Sequence, residues 1–148
     1  MTYEELKLSN QLCFPVYAAS RLIIREYQPY LDKLGITYPQ YLVMMVLWEE
    51  KKLTVKEITN RLVLNTNTVT PLLQRMEKQN LLIRKKSTED TRVVYVSLTK
   101  KGEALKEKAV RIPQKLSEKL MKGPFSVEEL INLKQNLTSM IEFLSTHT

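Results

Sequence analysis

Apolar residues recur along most of this chain at helical spacing, and the polar residues between them supply the starts and stops. From about Ser9 to Lys33, the positions Leu12, Val16, Ala19, Ile23, Tyr27 and Tyr30 predict a long amphipathic helix that Gly35 ends. Thr37, followed by Tyr38, Pro39 and Gln40, predicts a second start, because a proline near the first turn lacks only an N–H that would have had no partner. The segment from Tyr41 to Trp48 is apolar on every face and predicts a buried, central helix. Thr54 and Glu57 form a capping box, in which hydroxyl and carboxylate each satisfy an orphan backbone N–H, and Val55, Ile58 and Leu62 line the helix that follows. Leu64-Asn65-Thr66-Asn67-Thr68 breaks the pattern, and the stripe Val69, Leu72, Leu73, Met76 then starts a further helix between Asn65 and Thr68.

After Gln79-Asn80 the period changes. Leu81 to Lys86 and Arg92 to Leu98 are β-rich runs joined by the polar tip Ser87-Thr88-Glu89-Asp90-Thr91, which predicts a hairpin. Beyond it, Thr99 caps a helix through Gly102, Leu105, Ala109 and Ile112 that Pro113 bends or splits. Ser126 with Glu129 makes another capping box, opening a final amphipathic helix along Leu130, Leu133, Leu137, Ile141 and Leu144.

Helix, turn, helix and hairpin in this order, from Thr54 to Leu98, predict a winged helix-turn-helix within a mainly α fold. Its second helix carries Thr66, Thr68, Thr70, Gln74, Arg75 and Lys78 off the apolar stripe, where they can reach phosphates and base edges. Arg84, Lys86 and Arg92 add charge along the wing, and Arg92 at the base of the hairpin is suited to a narrow minor groove. A solvated, solubility-giving face is the plainer account of any one of these cations; the ordered combination favours double-stranded DNA as partner. The first helix and the last two are not needed by such a core, so their apolar faces predict a homodimer, and two-fold symmetry suits an inverted-repeat operator. A single domain over 1–148 is expected, with 9–36 and 99–148 as dimerisation helices and 37–98 as the DNA-binding region.

Composition agrees. Among 148 residues, 23 Lys and Arg against 16 Asp and Glu leave a net charge of +7, as suits approach to a polyphosphate. The longest apolar run falls far short of the roughly 20 residues that span a bilayer, and the amino-terminal residues have no basic leader pattern, so a cytoplasmic location is expected. Catalysis is poorly supplied: the one histidine is His147, next to the end, no Cys/His cluster offers a metal site, and no glycine-rich loop cradles a phosphate. Neither an enzyme nor a cofactor is expected.

A single cysteine, Cys13, excludes an intrachain disulfide. Beside Leu12 and Phe14 it reads as a small core residue. A helix beginning near Pro15 would instead set it at a positively polarised N-terminus that favours thiolate, and a helix beginning at Ser9 would kink just after it. Tyr17, Tyr27, Tyr30, Tyr38 and Tyr41 offer phenolic donors or ordinary packing.

Leu12-Cys13-Phe14, the run Leu34 to Tyr41, Thr70-Pro71-Leu72-Leu73 with Arg75-Met76-Glu77, and Glu89-Asp90-Thr91-Arg92 together resemble the MarR family of repressors and, within it, the one-cysteine branch of organic hydroperoxide sensors. The resemblance runs from about Ser9 to Leu116. It implies a homodimer in which an organic hydroperoxide oxidises Cys13 to a sulfenic acid. Tyr27 and Tyr38, contributed across the dimer interface, and more weakly Tyr17, would attend the sulfur. Because no second cysteine exists, a small cellular thiol would cap the oxidised sulfur, or oxidation would go further. DNA roles carry over to Thr66, Thr68, Arg75 and the wing, where Asp90 orients Arg92. Asn65-Thr66-Asn67 stands where the family has Asp-Ser-Gly, Gln74 where it has Lys, and Pro15 where it has an aliphatic residue. An alternative keeps the repressor but releases it with a small aromatic ligand, leaving Cys13 structural.

Overall fold

The computed structural model of the chain describes residues 3–146, so His147 lies outside them. Helix α1 spans Cys13–Leu34, α2 Tyr38–Glu50, α3 Val55–Leu62, α4 Thr66–Lys78, α5 Lys100–Ala109, α6 Ile112–Leu120 and α7 Val127–Thr146; strands β1, β2 and β3 are Lys52–Thr54, Leu82–Lys86 and Val94–Leu98.

The local signals act as the sequence predicts. Gly35 adopts φ +69° after α1, and its neighbour Ile36 returns an N–H to Leu31 O, satisfying carbonyls that the helix end would orphan. Thr37 and Gln40 exchange both capping-box bonds at the start of α2, as do Thr54 and Glu57 at α3 and Ser126 and Glu129 before α7. Pro113 opens α6 after a break at Val110-Arg111, so the helix beyond the wing is split rather than bent. Pro29 lies inside α1, where it has no N–H for the carbonyl of Arg25.

Helix α2 is central, burying Tyr41, Val43, Met44, Val46 and Leu47 against Leu31 of α1, Ile58 of α3, Leu73 and Met76 of α4, and Leu82 and Val96 of the sheet. Trp48 Nε1 donates to Gly102 O at 3.1 Å, tying α2 to α5. The sheet has a strand more than the predicted hairpin. Its order is β1-β3-β2, all antiparallel, with Leu53 opposite Val96 and Thr54 opposite Tyr95. The tip is also longer than predicted: Arg92 and Val93 belong to the turn, closed by Ser87 N–H donating to Val93 O at 2.8 Å.

Candidate DNA-reading surface and thiol site

Helix α4 owes its start to Asn65, whose Oδ1 accepts from Thr68 N at 3.0 Å and from Thr68 Oγ1 at 3.1 Å. Thr68 is therefore occupied with the cap. Val69, Leu72, Leu73 and Met76 face the core. The ridge opposite them is Asn67, Pro71, Gln74 and Lys78, spaced four, three and four residues apart and all exposed. Thr66 and Thr70 flank that ridge on the side of the wing, where with Arg84 and Arg92 they line a cleft; Arg75 flanks it on the other side. Gln74, Arg75 and Lys78 stand on or beside this ridge as their polar ends predict, whereas Asn67 and Pro71 are placed on it only by helical spacing from Gln74.

On the wing, the two arginines are held differently. Arg84 donates its backbone N–H to Glu77 Oε2 at 2.9 Å and its guanidinium to Oε1 at 3.2 Å. The backbone bond and, beyond it, the guanidinium hold the Glu77 carboxyl below the usual carboxylate range despite partial desolvation. With its side chain only 25% exposed, Arg84 braces the edge of β2 against α4. Arg92 is 90% exposed and leaves the tip as a fork on Asp90, Nε to Oδ1 at 3.1 Å and Nη2 to Oδ2 at 3.2 Å. Those bonds lower the Asp90 carboxyl and aim the guanidinium outward. Lys86 is exposed at the end of β2.

Cys13 is the first residue of α1, and Pro15 sits in the first turn; Glu4–Leu6 and Leu8–Asn10 are separate 3-10 turns, so the helix does not reach back to Ser9. The thiol is exposed, as are Leu12, Phe14, Val16 and Tyr17 around it, and Tyr17 carries the Arg21 guanidinium 4.7 Å from its ring centroid. Tyr27 and Tyr38 lie at the far end of α1 and the start of α2, with ring centroids 5.0 Å apart and Tyr41 5.8 Å from Tyr27. Burial, then the neighbouring Tyr38 and Tyr41, pushes Tyr27 up to about 12; burial also raises Tyr38 and Tyr41. All three phenols are neutral donors near pH 7. At a rise of 1.5 Å per residue, Cys13 stands roughly 21 Å along α1 from Tyr27 of its own chain.

Exposed apolar surface continues at the other end of the chain. Helix α7 buries none of its residues, and Ile131, Leu133, Ile141, Phe143 and Leu144 are exposed. No helix among the described residues is long and apolar enough to cross a membrane.

The family model "Transcriptional regulator SarA/Rot" matches residues 25–109, from the second half of α1 through the winged region to the end of α5. The chain belongs to this MarR-like winged-helix family. A curated relative from Bacillus subtilis (strain 168), the "Organic hydroperoxide resistance transcriptional regulator", is 49% identical over 96% of this chain and 95% of its own. The solved structure of reduced AbfR bound to DNA is similar with a TM-score of 0.77 and 33% identity, covering 97% of this chain and 99% of that one. Overoxidized AbfR bound to DNA is similar with a TM-score of 0.70 and 34% identity, covering 93% and 99%. As a SarA/Rot-type regulator this chain is a DNA-binding transcription regulator.

Proposed function

We propose that the protein is a homodimeric repressor that holds an inverted-repeat operator and releases it when an organic hydroperoxide oxidises Cys13. The observation that carries this reading is the position of Cys13: exposed at the start of α1, ringed by exposed apolar side chains, and far from its own Tyr27 and Tyr38. A second copy covering residues 9–36 and 99–148 would bury that surface and bring its own phenols to the sulfur, leaving 37–98 free for DNA. The relative described as an organic hydroperoxide resistance regulator supports this reading, and because overoxidized AbfR is still bound to DNA, release is assigned to the sulfenic acid and its thiol-capped product and not to further oxidation.

In that dimer the phenolic O–H groups of Tyr27 and Tyr38, with Tyr17 one turn away, donate hydrogen bonds to the thiolate of Cys13. Its sulfur attacks the terminal oxygen of the hydroperoxide. The O–O bond breaks, an S–O bond forms, sulfur gives up two electrons, and the departing alkoxide takes a proton to become the alcohol. The sulfenic acid then condenses with a small thiol, losing water and forming a mixed disulfide. Replacing a hydrogen-bonded thiolate by a bulkier, uncharged group disturbs the packing of α1 and α2 beneath the winged region. Thr66, Thr70, Gln74 and Arg75 serve the major groove, Arg92 on Asp90 the minor groove, Lys86 the backbone; Thr68 and Arg84 act by holding α4 and β2.

Fluorescence anisotropy on the protein's own upstream DNA, titrated with an organic hydroperoxide, tests this. The natural chain is expected to let go while Cys13→Ser stays bound. If both stay bound, the thiol reading is wrong and a non-covalent aromatic ligand becomes the trigger to seek.

A further inference from the structure

Pro71 breaks a rule of helix chemistry with no return from packing. It is the sixth residue of α4, past the first turn where proline is tolerated, and in such an interior position it weakens the helix at the cost of a main-chain hydrogen bond. It is exposed, so no buried surface offsets that cost, and it occupies the middle of the ridge opposite the core. A residue that weakens its own helix at the point farthest from the hydrophobic core belongs to a functional surface.

Two chemical consequences follow at one spot. The pyrrolidine ring is an apolar patch on a ridge otherwise formed by Asn67, Gln74 and Lys78. The missing N–H leaves the main-chain carbonyl of Asn67, four residues back, without its helical donor, beside that same ring. The ridge thus pairs a hydrogen-bond acceptor with an apolar face. In a major groove, an exocyclic amine and a methyl group occur together on only one kind of base pair, A·T, as the adenine N6 amine and the thymine C5-methyl; G·C has the amine without the methyl.

We propose that Pro71 is a specificity-determining residue, which with the Asn67 carbonyl selects an A·T pair in each half-site. The inference rests on the DNA-binding role, and not on the redox chemistry of Cys13.

The test uses the purified full-length chain and duplexes that it enriches from a random-sequence pool. Each thymine of an enriched duplex is replaced in turn by uracil, which removes only the methyl, and affinity is read by anisotropy for the natural chain and Pro71→Ala. At one thymine per half-site the natural chain is expected to lose about fourfold in affinity, the effect of one buried methyl. Pro71→Ala should be insensitive to that replacement and melt at a higher temperature. Replacing the paired adenine by purine, which lacks the N6 amine, should weaken binding at the same position. Uracil tolerated by the natural chain at every position, or an equal uracil penalty in both proteins, would overturn the proposal. A pool that enriches no duplex would remove the DNA-binding reading and this inference with it, whereas a failed peroxide response would leave this one standing.

Discussion

Gln40 is 5% exposed, and both ends of its side-chain amide are bonded: Oε1 accepts from Thr37 N at 3.1 Å and Nε2 donates to Gln79 Oε1 at 2.9 Å. Gln79 caps the C-terminus of α4, donates in turn to Gly35 O at 3.3 Å, and offers its own carbonyl to Lys101 Nζ at 2.8 Å. This amide pair joins the turn between α1 and α2 to the end of α4. Gln79→Met would strand a buried donor on Gln40, a loss of about 1–3 kcal/mol. Gln40→Met would remove half of the Thr37 capping box and leave Gln79 Oε1 without a donor, for about 0.5–2 kcal/mol, since half-buried Gln79 can turn to water. In the double variant neither amide remains to be stranded, so its loss should be about 1 kcal/mol, mostly the cap. The cycle therefore predicts a coupling energy on the order of 1–2 kcal/mol. Urea unfolding of the four proteins at one fixed concentration would read it as midpoint shifts of up to about 1 M with unchanged slope. A double variant whose loss equals the sum of the singles to within about 0.5 kcal/mol would refute the reasoning.

Other expectations are independent of that pair. Gly102→Ala would drive a Cβ to 2.1 Å from the main-chain oxygen of Leu81, so the start of α5 must shift away from β2; a loss of roughly 1–3 kcal/mol or more is expected in thermal unfolding, and an unchanged melting temperature would contradict the close approach. Val63 ends α3 in the left-handed region at φ 53° although β-branched and largely exposed, so Val63→Gly should raise stability by about 1 kcal/mol; a fall would show that its side chain is needed. Tyr27, raised from 10.0 to about 12, favours folding in its neutral form, a contribution fully present below pH 10 and lost as pH rises through 12. Tyr27→Phe should therefore show a shallower fall of melting temperature across that window than the natural chain, and parallel curves would argue against a buried phenol.

What was legible in the sequence was local. The capping boxes at Thr54 and Ser126, the helix start at Thr37 with Pro39, Gly35 and Pro113 each act within a few residues, and every one of them sets an element boundary where expected. Strand β1 was not legible, because Lys52-Leu53-Thr54 is too short for a period and exists only through pairing with the distant Tyr95 to Ser97. The choice between a helix from Ser9 and one from Pro15 turned on where the backbone begins to coil, and the 3-10 turns before Leu12 decide it. Of the site residues, Asp90 and Arg92 are near neighbours and their fork could be anticipated. The grip of Glu77 on Arg84 depends on β2 crossing behind α4, and Pro71, legible as part of a family motif, gives no sign of a role toward DNA because proline carries no charge or hydroxyl.

Thr54 is both the last residue of β1, opposite Tyr95, and the cap of α3. The wing and the helix-turn-helix are therefore joined through one residue with no loop between them, and Arg84 on Glu77 closes the same unit from the other side. A body built this way moves as one piece. Neither the hairpin nor α4 can retract alone, so a signal reaching α1 or α2 acts on the whole body. In the proposed dimer the adjustable quantity is the distance between two such bodies, and successive base pairs are only 3.4 Å apart, so a displacement of that size takes one helix out of step with its groove. Letting go is then a matter of span, with each half still intact and ready to bind again.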